Sequence, residues 1–254
     1  MTRYLQRSLL LVCIILGLSL GACGNAPPSS ATTAESPPAT LAPASTPTTA
    51  TADPTSDLAA LAGMATVSLQ VNGGQVLIEV DGEHAPITAG NFVDLVERGI
   101  YDGSVFHRVI REPDPFVVQG GDPQSVDPTV PQQRLGTGSF IDPATDQARF
   151  IPLEIQPEET DTPAYNQTFD IPRGATPPVL KHSRGAVAMA RSQPLDSASA
   201  QFYITLADLP FLDGNYAVFG YVTEGMDVVD GIQQGDVLET ATVVEGADNL
   251  KTAG

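Results

Sequence analysis

The sequence predicts a mainly β domain, a closed antiparallel barrel with helical plugs. Three observations point there: the apolar runs after residue 66 are short and bounded by turn residues, only two stretches carry a helix signature, and no internal repeat is present. The chain has 254 residues, enough for one or two domains with a sizeable core.

The N-terminus reads as a targeting segment. Arg3 and Arg7 precede an apolar stretch over residues 9–20, too short to span a bilayer comfortably, which takes about 20 residues. A positive start, a short apolar run and small residues after it form a secretory signal. The stretch ends in Leu20-Gly21-Ala22-Cys23, which resembles a bacterial lipobox. That resemblance implies a signal peptide over 1–22, cut before Cys23, whose thiol is diacylated. Cys13 and Cys23 are the only cysteines, so disulfides and cysteine-based sites are excluded downstream. From 24 to 57, 28 of 34 residues are Ala, Pro, Ser or Thr. Such a segment buries too little apolar surface to offset its ordering entropy, so 23–63 is expected to be a lipidated cysteine plus a disordered spacer.

The folded domain is expected over 64–246, followed by a C-terminal tail over 247–254. Val67, Leu69 and Val71 alternate with polar positions, Gly73-Gly74 makes a turn, and Val76, Ile78 and Val80 alternate again, predicting a β-hairpin. Pro86 suits a first helical turn, Phe92, Val93, Leu95 and Val96 supply an apolar stripe, and Gly99 suits the C-terminal cap. Short β-rich runs follow at 104–110, 116–119, 185–190, 201–205 and 217–222, with a second short helix starting near Met226 and stopping before Gly235. The segment 123–180 has ten prolines and few periodic runs. It reads as long surface connections of the same barrel, with 151–155 as one anchored stretch.

Charge narrows the function. Lys+Arg total 12 against Asp+Glu 30, a net charge of −18, which argues against nucleic acid and against docking on anionic lipid through a basic face. His84, His107 and His182 have no metal-ligand spacing, and His84 and His182 read as ordinary loop residues. Gly136-Thr137-Gly138 reads as a turn. Neither a nucleophile elbow nor a phosphate loop is present.

Three patches stand out: Val105-Phe106-His107-Arg108-Val109-Ile110; Phe116-Val117-Val118-Gln119-Gly120-Gly121-Asp122; and a run from Gly185 through Ser199-Ala200-Gln201-Phe202-Tyr203-Ile204 to Phe211-Leu212-Asp213-Gly214 and Val218-Phe219-Gly220. Their order and spacing, together with Ala85-Pro86-Ile87-Thr88-Ala89-Gly90-Asn91-Phe92, closely resemble the cyclophilin-type peptidyl-prolyl isomerases over about 66–244. The resemblance implies an eight-stranded closed barrel capped by two helices. It implies that Arg108 is the catalytic arginine, that Gln119 orients it, and that Phe116, Val117, Tyr203 and Leu212 line a proline pocket. His107, Ala190, Arg191 through its backbone, Gln201, Phe211, Tyr216 and Phe219 are implied to border the groove. Val117, Tyr203, Tyr216 and Phe211 depart from the common Met, Phe, His and Trp.

The implied function is isomerisation of X-Pro bonds in exported or cell-surface polypeptides. The protein is expected to be monomeric, without cofactor or metal, and anchored outside the cytoplasm by the lipid on Cys23. The alternative is a cyclophilin-like module that grips Pro-containing segments without useful turnover.

Overall fold

The computed structural model describes residues 55–252; the targeting segment, Cys23 and most of the spacer lie outside them. The strands and helices, in chain order, are β1 (Ala60–Leu61), β2 (Met64–Val71), β3 (Gly74–Asp81), α1 (Pro86–Glu97), β4 (Arg108–Val109), β5 (Val117–Gly120), β6 (Ile141–Asp142), β7 (Gln147–Ala148), β8 (Glu154–Ile155) and β9 (Ala164–Tyr165). Then come β10 (Ala186–Met189), β11 (Phe202–Thr205), β12 (Val218–Glu224), α2 (Met226–Gly231), β13 (Leu238–Glu245) and β14 (Leu250–Lys251). β1 pairs with β14, so ordered structure reaches beyond both ends of the 64–246 span.

One eight-stranded antiparallel sheet dominates, in the order β13-β2-β3-β12-β10-β11-β5-β4. The β2–β3 hairpin turns at Asn72 and Gly73, both with positive φ (53° and 72°), as a two-residue turn matched to strand twist requires. The turn thus falls one residue earlier than the Gly73-Gly74 pair suggests.

The expected closed barrel is corrected. The sheet curls but stays open, because its edge strands β4 and β13 share no ladder. β4 is only two residues long. The chain before it meets the start of β13 through an isolated Val105–Val237 bridge. There Phe106 N donates to Asp236 O at 2.9 Å and Leu238 N to Ser104 O at 2.8 Å. Gly235 N in turn donates to Phe106 O at 2.9 Å, so the contact is confined to this short stretch.

The period-2 alternation of the strands gives the sheet two apolar faces. The inner one joins Val67, Leu69, Val76, Ile78, Val118, Val187, Phe202, Ile204 and Phe219 into the main core beneath α1. Phe92 of α1 lies at its centre, with ring centroids 4.9–5.3 Å from those of Tyr101, Phe202 and Phe219. The outer face carries a second cluster: Val117, Ala186, Ala188, Tyr203, Leu209 and Val218.

The 123–180 connection is tied down by a few buried polar bonds. Ala85 provides no side-chain cap for α1. Instead the Glu154 carboxylate, 1% exposed, accepts from Ile87 N at 3.1 Å and Thr88 N at 2.7 Å. This satisfies donors that a helix start leaves free. Burial raises the Glu154 pKa against the lowering effect of those bonds. Arg149 reaches Asp94 of α1 at 2.6 Å and lies over the Phe140 ring.

Candidate active site

The outer apolar cluster floors a groove. Strand register places Arg108 opposite Gln119, and Gln119 opposite Tyr203. Three neighbouring strands therefore carry these residues in one row across the sheet. Arg108 Nη1 donates to Gln119 Oε1 at 3.1 Å. Gln119 Nε2 donates to Gln201 Oε1 at 3.3 Å, and Gln201 Nε2 to Gly138 O at 2.9 Å. Gln201 is thus braced from the far side of the groove.

Beside this row lies a cavity of about 190 Å³, lined by Arg108, Phe116, Val117, Gln119, Ala190, Arg191, Tyr203, Leu212 and Tyr216. Nine of the residues marked by the sequence meet there. Phe116 lies between two groups: the Arg108 guanidinium, 5.5 Å from its centroid, and the stacked Phe211 ring at 6.1 Å. Phe211 itself sits on the rim, 65% exposed. Arg108 is exposed and, among the described residues, makes no ion pair. It therefore escapes the cost of a charge buried in an apolar strand, and its full positive charge faces the groove.

Arg191 acts through its side chain as well as its position. Its guanidinium donates to Asn215 O at 2.7 and 3.1 Å, to Ser192 O at 2.9 Å and to Gln193 O at 3.3 Å. It also lies 4.9 Å over the Tyr216 ring, clamping the 190–193 and 215–216 segments together.

His107 is not in the pocket. It packs against Gly136, with both ring nitrogens buried. Burial lowers its pKa, with the Asp122 charge opposing, so it is neutral at neutral pH. Gln201 lines an adjoining cavity of about 460 Å³ with Thr137, Gly138, Ser139, Ser192, Ser197 and Ser199. Phe219 belongs to the main core, on the opposite face of the sheet.

Two readings from the sequence are corrected. Gly136-Thr137-Gly138 is more than a turn: it walls the adjoining cavity. Buried Asp122 holds it by accepting from Gly136 N at 2.6 Å and Gly138 N at 3.3 Å. A Cβ on Gly138 would sit 2.1 Å from Asp122 Oδ1, so a larger residue there would displace the carboxylate that holds the wall. His182 is no ordinary loop residue. It is 2% exposed and joins Tyr203 to Asp213 by bonds of 3.0 and 2.8 Å. Asp122-Pro123 carries a local cap signal, with Gln124 N donating to Asp122 at 3.1 Å, but its bonds to the glycine wall span 14 positions and those of His182 to Asp213 span 31.

The fold is thus an antiparallel curled sheet with two helices, carrying an arginine-edged apolar pocket on its outer face. The family profile described as cyclophilin type peptidyl-prolyl cis-trans isomerase/CLD matches residues 66–253, and the chain belongs to that family. It is 40% identical over 208 residues to a protein of Synechocystis named as a thylakoid-lumen peptidyl-prolyl cis-trans isomerase, covering 76% of this chain and 50% of that one. It is 41% identical over 184 residues to a chloroplastic peptidyl-prolyl cis-trans isomerase of Arabidopsis thaliana, covering 68% and 39%. The chain thus spans half or less of the length of these two relatives. A peptidyl-prolyl cis-trans isomerase of Streptomyces antibioticus is 34% identical over 178 residues, covering 67% and 84%. The crystal structure of a Cryptosporidium parvum cyclophilin-type isomerase shares the fold, with a TM-score of 0.53 at 23% identity over 72% of this chain and 98% of that one.

Proposed function

We propose that this chain catalyses cis–trans rotation about X-Pro bonds in exported or cell-surface polypeptides. The observation that carries the reading is the row Arg108–Gln119–Tyr203 beside the apolar pocket, with the guanidinium unpaired by any carboxylate among the described residues.

Rotation about a peptide C–N bond must break amide resonance, a barrier of ~18–20 kcal/mol. X-Pro bonds exchange over tens to hundreds of seconds without help. In the twisted transition state the proline nitrogen becomes pyramidal and regains a lone pair. Phe116, Val117, Tyr203 and Leu212 hold the proline ring, and Arg108 donates to that nitrogen. The planar ground state offers no such acceptor, so the bond lowers the barrier rather than tightening binding alone. One charge-assisted bond at ~1.5–3 kcal/mol supplies about ten- to a hundred-and-fiftyfold. Gln119 aims the guanidinium without neutralising it. No covalent intermediate enters this scheme.

Refolding of a substrate limited by proline isomerisation tests the reading. Acceleration by catalytic amounts of the domain supports it. Saturable peptide binding without acceleration favours a Pro-segment binding module instead.

The setting is proposed as extracytoplasmic. The lipobox-like Leu20–Cys23 and the spacer after it support a monomer tethered to a membrane by a lipid on Cys23. Among the described residues no helix is long and apolar enough to cross a membrane. Cys23→Ser should release the protein from the membrane fraction or leave an uncleaved precursor; unchanged membrane association with normal processing contradicts the anchor.

A further inference from the structure

His182 lies outside the proline pocket, yet it bonds to several parts of its wall. Its Nε2 is 3.0 Å from the hydroxyl of Tyr203, whose ring lines the pocket. Its Nδ1 and its backbone N both lie 2.8 Å from Asp213 Oδ1, and Asp213 directly follows the pocket residue Leu212. Its carbonyl accepts from Leu209 N at 2.7 Å. One residue therefore brackets the turn Pro210–Leu212 at both ends and holds the facing tyrosine.

The direction of these bonds follows from chemistry. An ionised carboxylate only accepts, so Nδ1 carries the imidazole hydrogen and Nε2 accepts from the Tyr203 hydroxyl. Burial raises the pKa of that hydroxyl, which keeps it protonated and able to donate. The tyrosine hydroxyl thus bonds into the protein while the residue lines the groove. The imidazole and phenol rings lie nearly parallel, 17° apart. All three partners are buried: Tyr203 at 5%, His182 at 2% and Asp213 at 9% exposure. Water competes little for these bonds.

We infer that His182 is a positioning residue for the isomerase reaction: the Asp213–His182–Tyr203 chain fixes the tyrosine ring and the Leu212 turn relative to each other, and so sets the shape of the proline pocket. This rests on the proline-isomerase reading above. A loosened wall holds the ring less well in ground and transition states alike. It therefore raises KM while kcat stays near its starting value. A purely structural role behaves differently: fewer molecules are active, apparent kcat falls and KM stays put.

The test compares Tyr203→Phe, which removes one oxygen and keeps the ring, with His182→Asn, whose amide reaches Asp213 but not Tyr203, and with the double variant. Kinetics on an X-Pro tetrapeptide should show KM raised about three- to tenfold in each single variant, with kcat within about twofold. The double variant should be no worse than the poorer single, because both cut the same bond. His182→Gln, whose amide reaches the Nε2 position, should recover part of the loss. Unchanged KM in both singles, a loss confined to kcat, or independent multiplication in the double variant overturns the proposal. If the wild-type domain turns over no peptide, the isomerase reading fails. The same fold-changes, read as peptide Kd by titration, then decide the role of His182 separately.

Discussion

Arg108 is held by the amide of Gln119, at 3.1 Å across the β4–β5 register, and not by a carboxylate. A neutral acceptor aims the guanidinium while leaving its charge unspent. That difference decides whether the charge is available to a developing lone pair.

Gln119→Glu keeps the length of the side chain and changes only its charge. The carboxylate would pair with Arg108 and draw it from the groove. With charge-assisted bonds at ~1.5–3 kcal/mol, kcat should fall about ten- to a hundredfold, with the urea unfolding midpoint little changed. Steady-state kinetics and a denaturation curve check this; undiminished kcat shows that the neutrality of Gln119 is irrelevant.

Phe211 stacks on Phe116 at the rim and is largely exposed. The cyclophilin resemblance implies that cyclosporin would bind this groove, with a Trp at this position in the family's tight binders. Phe offers no N–H to a ligand carbonyl, an omission costing ~1–3 kcal/mol. Phe211→Trp should therefore strengthen inhibition about ten- to a hundredfold with turnover preserved. An inhibition titration of both forms decides; equal sensitivity refutes this account of Phe211.

His107 contributes to the pH dependence of stability. Its native pKa is lowered from the ordinary 6.5 by burial, so the unfolded chain binds a proton that the native state resists. The resulting stability is fully present above about pH 6.5 and is lost as pH falls through the native value. Urea unfolding between pH 8 and pH 5 should show a decline that His107→Leu reduces. Parallel curves for the two proteins would remove His107 from the explanation.

The elements readable in the sequence are those fixed by near neighbours. Alternating Val67, Leu69 and Val71 marked β2, and Pro86 with the Phe92–Val96 stripe marked α1, because period and propensity act within a few residues. Arg108, Gln119 and Tyr203 were legible as motifs, but their alignment in one row needs the register of three strands. Contacts made at long range left no trace. Glu154 caps α1 from 66 positions away. Asp122 shapes the Gly136–Gly138 wall, and His182 ties Tyr203 to Asp213 only once the strands of the sheet have assembled. The missing ladder between β4 and β13 depends on how the whole sheet curls, which alternation of apolar residues does not encode.

The central claim is that the Arg108 charge lowers the rotation barrier. The most direct measurement is the exchange rate of an X-Pro peptide, by NMR, with Arg108→Ala and Arg108→Lys domains beside the wild type. Arg108 is exposed, so both variants should fold. The account predicts a kcat reduced about ten- to a hundred-and-fiftyfold in the Ala variant, and poor rescue by Lys, which lacks the planar fork. Wild-type turnover in a folded Arg108→Ala protein would contradict it.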